Sequence, residues 1–242
     1  MPPETFDVEI AHTEMLAPSV KGFVFSRVDG HPFAHEPGQW VNLVLPTAAG
    51  EIRRAYSIAS PPGKSPRFEI AVTEVAGGPG SGYLAGLDAG ARLRAIGPQG
   101  FFTRTPSDPA PALFVGTGTG VTPLRSMMQA AASSEAKAPL WLLFGVRRAA
   151  DLLYRSEFEA LARSTPNVRV FFTLSQGAEE WTGRRGYVQT HIPDLLAELA
   201  REHEGEAHVY VCGLERMVSA VRQLVRKELG LPRERVHSER YD

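Results

Sequence analysis

The chain has 242 residues, 43% of them hydrophobic and 22% charged, with a formal net charge of -1. This length suits one or two globular domains, and the balanced charge favours neither nucleic acid nor an anionic membrane surface as a partner. The one cysteine, Cys212, excludes a disulfide within the chain and an iron–sulfur or zinc site held by several of its cysteines.

The N-terminal segment and the apolar runs bear on location. The first residues, Met-Pro-Pro-Glu-Thr-Phe-Asp, have neither a basic start nor an apolar core. No apolar run in the sequence approaches the roughly 20 residues needed to span a bilayer. We therefore expect a cytoplasmic protein.

The seven histidines show no spacing typical of metal ligands, and we expect no metal site.

The first hundred residues are predicted to form short strands. β-forming stretches occur at 6–11, 20–27, 39–45, 54–59, 67–75 and 92–96. Turns such as Pro37-Gly38 and Pro61-Pro62-Gly63 separate them. Short strands at regular spacing with little helical periodicity predict an antiparallel barrel or sandwich.

From Ala112 onwards the pattern alternates between strands and helices. Apolar strands are predicted at 112–115, 140–144, 168–173 and 208–212, and helices at 123–132, 156–162, 195–202 and 215–229. This order is a series of βαβ units, which predicts a parallel sheet. Pro106, Pro109 and Pro111 cluster between the two patterns, so we place the domains at 1–107 and 108–242.

A glycine-rich turn, Gly116-Thr-Gly-Thr-Gly-Val-Thr-Pro123, joins the first strand of the second pattern to its helix. Its glycines let a ligand approach the backbone without meeting a Cβ atom. Thr122 can cap the helix and Pro123 fits its first turn, so free N–H groups would face an anionic group. The turn lacks the full Gly-x-Gly-x-x-Gly spacing, and a simple tight connection is the alternative.

Two further stretches carry candidate binding chemistry. Arg54-Ala-Tyr56-Ser57 offers a guanidinium for a diphosphate, an aromatic face for stacking and a hydroxyl. In a regular strand Arg54 and Tyr56 face one side and Ser57 the other, and an ordinary half-buried strand is the alternative. The glycine-rich segment 77–84 is either a flexible hairpin or a loop that leads into a short phosphate-binding helix.

Taken in order, these motifs resemble the ferredoxin–NADP reductase family. The resemblance covers nearly the whole chain. Its motifs are Arg-x-Tyr-Ser at 54–57, Gly-x-x-Ser at 78–81, Gly-Pro-x-Gly-x-Phe at 97–102, the glycine-rich turn at 116–123, Cys-Gly at 212–213 and Glu-x-Tyr at 239–241. It implies a six-stranded antiparallel Greek-key β-barrel that binds FAD, followed by an NAD(P)-binding α/β domain. Hydride would pass between the nicotinamide C4 and the flavin N5 at their junction.

The resemblance also implies roles for the residues that bind flavin. Arg54 would pair with the pyrophosphate, Tyr56 would stack on the isoalloxazine and Ser57 would bond near N5. Gly78, Gly80 and Ser81 would contribute phosphate contacts.

The same resemblance implies a nicotinamide site that includes the C-terminus. Thr117, Gly118 and Thr119 would lie between the cofactors, in the turn that also holds Gly120 and Pro123. Cys212 and Gly213 would border the nicotinamide, although a cysteine at the end of a buried strand is usually a small apolar packing residue. Glu239 would lie near the reacting atoms, and Tyr241 would cover the flavin. Asp242 follows that tyrosine, so the chain departs from the family pattern by one added carboxylate at a mobile terminus.

The adenosine end of the nucleotide is expected near Arg147 and the segments after the next strand. In NADP-dependent relatives the 2′-phosphate meets Ser-Arg and then basic residues with a tyrosine. This chain has Ser175, Arg184, Arg185 and Tyr187, but Gln176 replaces the expected arginine. One lost charge-assisted contact is worth roughly 1.5 to 3 kcal/mol, so NADPH or NADH is expected as substrate, with a slight preference for NADPH.

The resemblance thus predicts a monomeric flavoprotein reductase that passes electrons from NAD(P)H to a separate ferredoxin, flavodoxin or oxygenase component. Two alternatives remain open. One is a flavin reductase for which flavin is a dissociable substrate, and the other is a catalytically silent flavin-binding redox regulator.

Overall fold

The N-terminal half forms one antiparallel sheet in the computed structural model, which describes residues 4–47 and 50–241. Its strands are β1 (Glu4–Ala17), β2 (Val20–Arg27), β3 (Trp40–Thr47), β4 (Gly50–Ser57), β5 (Arg67–Thr73) and β6 (Arg92–Gln99), with helix α1 (Pro79–Ala85) before β6. The order β4-β3-β6-β1-β2-β5 places β6 between β1 and β3, which is a Greek-key crossover. The predicted six-stranded antiparallel architecture is confirmed.

This sheet curls into a half-barrel around aromatic side chains. Phe25, Phe33 and Phe68 are fully buried, and the ring centroids of Phe33 and Phe68 lie 4.4 Å apart. Burial of each such side chain contributes about 1.5 to 3 kcal/mol. The Ala59 amide, just beyond edge strand β4, donates a 2.8 Å hydrogen bond to the Glu69 carbonyl of the other edge strand. The two edges of the sheet therefore come together.

The C-terminal half is a parallel sheet with helices on both faces. Its elements are β7 (Ala112–Thr117), α2 (Val121–Ala132), β8 (Leu140–Val146), α3 (Arg155–Ser164), β9 (Val168–Leu174), β10 (Arg184–Arg185), α4 (Ile192–Glu202), β11 (His208–Leu214), α5 (Glu215–Gln223) and β12 (Val236–Tyr241). β7 and β8 are buried along almost their whole length, because helices cover both faces of the sheet. A π-helical segment, Leu224–Glu228, continues α5, so the predicted helix at 215–229 changes its winding after Gln223.

The strand order of this sheet, β10-β9-β8-β7-β11-β12, reverses direction at β7. The chain moves from β7 to β8 on one side and later returns to place β11 on the other. At such a switch point the loops after the two central strands diverge and leave a crevice at the carboxyl end of the sheet. The glycine-rich turn after β7 and Gly213 near the end of β11 lie at this edge of the sheet.

Edge strands β10 and β12 were not among the strands predicted from the sequence. β12 reads Val-His-Ser-Glu-Arg-Tyr, which is largely polar, and it pairs only with β11. The ladder extends to the pair Leu214–Tyr241, so Tyr241 is held at the end of an edge strand. Asp242 lies outside the described residues.

The chain passes from one sheet to the other over residues 100–111. Buried Arg104 shapes this connection, because its guanidinium donates to the carbonyls of Asp108 at 3.0 Å and Ala110 at 2.9 Å. Among residues 4–47 and 50–241, no helix combines the length and apolarity needed to cross a membrane.

Candidate active site between the two sheets

The four residues predicted to be catalytic meet at the junction of the two sheets. The Tyr241 hydroxyl donates a 2.5 Å hydrogen bond to Ser57 Oγ, which donates in turn to Glu239 Oε1 at 3.2 Å. Cys212 is fully buried, and the Tyr241 ring packs against the apolar cluster that contains it. The site therefore joins β4 of the first sheet to β11 and β12 of the second.

Local backbone geometry explains this convergence. Ser57 is the last residue of β4 and is buried, whereas Arg54 is exposed. Glu239 and Tyr241 are two residues apart on β12, so their side chains share one face of the strand. Glu239 is the register partner of Cys212 on β11. Because the strands are parallel, their carboxyl ends reach the same edge of the sheet, opposite Ser57.

Burial alters the acid–base properties of this group. It raises the pKa of Glu239 to about 7, although the hydrogen bond from Ser57 opposes the shift. Burial also raises the pKa of the Cys212 thiol well above its usual value, with a further contribution from Glu239. Cys212 is thus a neutral thiol at neutral pH, while Glu239 can gain or lose a proton there.

Glu239→Gln is expected to remove a pH dependence of stability. Between the usual carboxyl pKa of 4.5 and the folded value of about 7, the folded chain binds more protons than the unfolded chain. The free energy of unfolding therefore falls as pH rises through this window. Relative to the native chain, the variant should gain up to about 3 kcal/mol between about pH 4.5 and about pH 8, measured by chemical denaturation without nucleotide. Glu234→Gln, which changes an exposed carboxylate of the same segment, is the control. Parallel pH curves for Glu239→Gln and the native chain would contradict the expectation.

The glycine-rich turn packs closely against β11. A Cβ atom at Gly120 would lie 2.3 Å from the Cys212 carbonyl oxygen, and one at Gly213 would lie 2.4 Å from Thr117 Oγ1. Gly118 adopts φ = 53°, and a Cβ there would meet open space. The turn is therefore pressed onto the sheet at one glycine and open at another, as a ligand-binding turn requires.

Contrary to the prediction, Thr122 does not cap helix α2. The N-cap is Gly120, and Thr122 lies inside the first turn with Pro123. The Thr122 hydroxyl donates to the Thr119 carbonyl at 2.8 Å and lies 3.4 Å from the Tyr241 hydroxyl. Thr122 thus faces the candidate active site, a position that was not predicted from the sequence.

The other predicted flavin contacts lie along β4 and α1. The Arg54 side chain crosses Gly80, where a Cβ atom would lie 2.9 Å from Arg54 Cγ. The Ser81 hydroxyl accepts a 3.1 Å hydrogen bond from the Val75 amide and so closes the loop that ends at Gly78, the N-cap of α1. Of the two readings of segment 77–84, the loop leading into a short helix is the one observed.

These residues fit a flavin dinucleotide. Arg54 is exposed, and its guanidinium donates to the carbonyl of Arg53 at 2.9 Å, which leaves further N–H donors for an anion. Gly80 leaves the side of this guanidinium uncovered. Tyr56 is half-buried, and burial raises its pKa to about 12, so its ring is neutral. A positive group and a neutral aromatic face along one strand match a diphosphate joined to a flat ring.

The residues predicted to hold the adenosine end lie at the carboxyl ends of β8, β9 and β10. Arg147, Ser175, Gln176 and Tyr187 are exposed there. The Ser175 and Gln176 amides donate to the carbonyls of Val146 and Arg147, which fixes one loop against the other. Arg184 is half-buried, its guanidinium 5.2 Å from the centre of the Phe171 ring.

Arg185 has a different environment from Arg184. Its guanidinium donates to four backbone carbonyls, those of Gly177, Ala178, Glu179 and Trp181, at 2.7 to 3.0 Å. A guanidinium has five N–H donors, so few remain for a phosphate. In this structure Arg185 shapes the 177–181 loop.

In this fold the strand that carries Arg54, Tyr56 and Ser57 faces the switch point of a parallel sheet. This arrangement is suited to an enzyme that brings two flat cofactors together. Family models match both halves: the oxidoreductase FAD-binding domain over residues 7–103 and the oxidoreductase NAD-binding domain over residues 114–223.

Individual relatives agree with these matches. The chain is 57% identical over 240 residues to ferredoxin–NADP reductase B of Sorangium cellulosum, covering 99% of this chain and 98% of that protein. It is 31% identical to the stachydrine N-demethylase reductase subunit of Rhizobium meliloti, covering 93% of this chain but 63% of that longer protein. The crystal structure of the Amycolatopsis cytochrome P450 reductase GcoB superposes with a TM-score of 0.85 at 29% identity, covering 99% of this chain and 70% of that one.

The chain belongs to the ferredoxin–NADP reductase family of FAD-dependent oxidoreductases. It is an enzyme that transfers hydride between NAD(P)H and FAD and passes electrons to a separate acceptor. The predictions of family, fold, enzyme class and cofactors are confirmed. The role of each site residue stays a prediction.

Proposed function

We propose that the chain oxidises NADPH in preference to NADH and reduces a small iron–sulfur protein of the ferredoxin type. The observation that carries the nucleotide preference is the position of Arg147 and Arg184 at the carboxyl ends of the parallel strands. The chain of hydrogen bonds from Tyr241 through Ser57 to Glu239 supports hydride transfer at the switch point of the sheet. The name of the relative at 57% identity supports the ferredoxin acceptor. The one cysteine, Cys212, is buried, so these 242 residues hold no cluster ligated by several cysteines.

When bound, FAD supplies a group that accepts hydride and returns electrons one at a time. The residues of this chain bind FAD and hold or transfer protons beside it. Arg54 binds the diphosphate and Tyr56 covers one face of the ring. Ser57 Oγ can pass a proton towards Glu239 Oε1, whose pKa of about 7 allows uptake or release at neutral pH. The buried thiol of Cys212 forms an apolar wall for the nicotinamide.

Recognition of the nucleotide rests on Arg147 and Arg184 near the exposed Ser175 and Tyr187. A 2′-phosphate adds negative charge at this position, and two arginines there favour it over a hydroxyl. Gln176 contributes no charge, so the preference for NADPH is modest. With few free donors, Arg185 would act on the phosphate mainly by shaping the loop.

Anaerobic titration of the purified protein with NADPH and with NADH tests this proposal. Retention of yellow colour through gel filtration separates a reductase with bound FAD from a flavin reductase with dissociable flavin. Rapid bleaching of that colour by NADPH excludes a silent flavin-binding regulator. Addition of oxidised ferredoxin should then restore the colour. A higher kcat/KM for NADH, or bleached protein that ferredoxin fails to reoxidise, would contradict the proposal.

A monomeric state, a cytoplasmic location and a domain boundary between residues 107 and 108 are also part of this proposal. Light scattering of the purified protein, cell fractionation and limited proteolysis would test them.

A further inference from the structure

Arg125 connects the two sheets through four hydrogen bonds that its guanidinium donates. Its Nε and Nη2 donate to the two carboxylate oxygens of Glu157 on α3, each at 2.7 Å. Its Nη1 donates across the junction to the Ala59 carbonyl at 2.8 Å and to Glu69 Oε2 on β5 at 2.9 Å. The guanidinium also lies 4.4 Å from the centre of the Tyr154 ring.

The segments that Arg125 joins are those that carry the two halves of the candidate active site. Ala59 follows Ser57 by two residues, directly beyond strand β4. Arg125 lies on α2, the helix that begins at the glycine-rich turn. The next residue, Ser126, donates to the Ser60 carbonyl at 2.7 Å, which adds a second bond between the same two segments.

The chemistry of this contact requires arginine. The planar guanidinium binds Glu157 through two parallel N–H groups and still directs a third group across the junction. Lysine has one nitrogen and cannot satisfy both directions at once. The Arg125 side chain is 8% exposed, whereas those of Glu69 and Glu157 are 36% and 38% exposed. Removal of the guanidinium would therefore leave carboxylates that water can solvate, and the chain should still fold.

We propose that Arg125 is a positioning residue that fixes the separation between the flavin-binding strand and the nicotinamide-binding turn. It touches no reacting atom. It acts through Ala59 on the end of β4 and through α2 on the glycine-rich turn. Because a misplacement of about 1 Å can cost about 100-fold in rate, this contact controls hydride transfer from a distance. The inference rests on the active site proposed above.

The test compares Arg125→Met with the same substitution at Arg27, an arginine in a similar environment. Arg27 is equally buried at 8% exposure, pairs with the carboxylates Glu4 and Asp29, and lies over the Phe6 ring at 4.5 Å. All of these partners belong to the N-terminal half of the chain. Arg27→Met therefore reproduces the loss of a buried ion pair without touching the junction.

The first measurement is hydride transfer by anaerobic stopped flow at saturating NADPH, with 2′,5′-ADP binding measured in parallel. Arg125→Met should lower the rate constant at least tenfold and leave the dissociation constant of 2′,5′-ADP within about twofold, because the adenosine end lies on one sheet only. Arg125→Lys should lie between methionine and the native residue. Arg27→Met should retain the native rate.

The second measurement needs no cofactor. The hydroxyls of Thr73 and Thr119 lie 3.4 Å apart across the junction. With oxidised glutathione as the oxidant, a Thr73→Cys/Thr119→Cys protein should form a disulfide. Its rate of formation reports how often the two sulfur atoms meet across the junction. Adding Arg125→Met should slow this reaction several-fold. Adding Arg27→Met should not.

The inference is overturned if Arg125→Met keeps both native rates, or if Arg27→Met lowers them equally. If Arg125→Met does not fold, Glu69→Ala removes the charged contact across the junction alone and must show the same losses. A native disulfide rate in both the Arg125→Met and Glu69→Ala backgrounds also rejects it. If Arg125→Met slows disulfide formation but leaves hydride transfer unchanged, the junction contact exists and the proposed active site is misplaced.

Discussion

Arg54→Ala combined with Tyr56→Ala is expected to give a folded, colourless protein. Arg54 presents free N–H donors beside Gly80, and charge-assisted hydrogen bonds to a phosphate contribute about 1.5 to 3 kcal/mol. Tyr56 provides an aromatic face, and stacking contributes about 0.5 to 1.5 kcal/mol beyond buried area. Losing both should weaken FAD binding by about 30-fold to 2,000-fold, since each 1.36 kcal/mol is a factor of ten. The visible absorbance per mole of purified protein measures the retained flavin.

Arg53→Ala is the control for this double variant. Arg53 is the exposed neighbour of Arg54 on the same strand, and alternation along β4 directs its side chain to the opposite face. It should retain the native flavin content. Circular dichroism establishes that each protein is folded. A folded double variant with stoichiometric flavin would show that flavin binds elsewhere.

Tyr241→Ser is expected to tighten nucleotide binding. The Tyr241 hydroxyl bonds to Ser57 and lies near Thr122, so the ring stands between β4 and the glycine-rich turn, where the nicotinamide must enter. Displacement of the ring costs about 0.5 to 1.5 kcal/mol of stacking, which converts to about twofold to 13-fold in affinity. Turnover should fall, because a nicotinamide that stays in place slows product release. Titration of the oxidised protein with NADP+ and NAD+ measures the dissociation constants.

Two further variants distinguish the effect of the Tyr241 ring from the effects of its hydroxyl and of Glu239. Tyr241→Phe keeps the ring and loses the hydroxyl, so it should bind nucleotide more weakly than Tyr241→Ser. Glu239→Ala should slow hydride transfer by mispositioning the nicotinamide and change affinity less. Unchanged dissociation constants for both nucleotides in Tyr241→Ser would mean that the ring does not block the nicotinamide.

Much of the candidate site could be predicted because its residues belong to short local motifs at strand ends. Arg54, Tyr56 and Ser57 lie within four consecutive residues at the end of β4, and Cys212-Gly213 lies near the end of β11. The sequence places the motifs of β4 and β11 at the carboxyl ends of predicted strands, and the sheet topology then brings them together with Glu239 and Tyr241 on β12. This is why four distant residues that were chosen one motif at a time are found in one cluster.

The rest depended on contacts that sequence patterns do not encode. Helix α2 is apolar around Arg125, and nothing local distinguishes a buried arginine that bonds to another sheet from a solvated one. Arg184 and Arg185 are adjacent and chemically alike, yet only Arg185 is held by the carbonyls of its own loop. Strand β12 is polar and has one neighbour, so its hydrogen bonds depend entirely on β11.

We expect the position of Tyr241 on an edge strand to make the ring a tethered competitor of the nucleotide. The register pairs from Val236 to Tyr241 keep the ring beside the site after it is displaced, so its return is an intramolecular event independent of protein concentration. The measured affinity then equals the intrinsic affinity multiplied by the fraction of time that the ring is absent. Changes at the far end of β12, such as at Val236, would alter that fraction without touching the nucleotide. On this prediction, the apparent KM of the enzyme depends partly on the stability of a strand and can change while every binding residue stays the same.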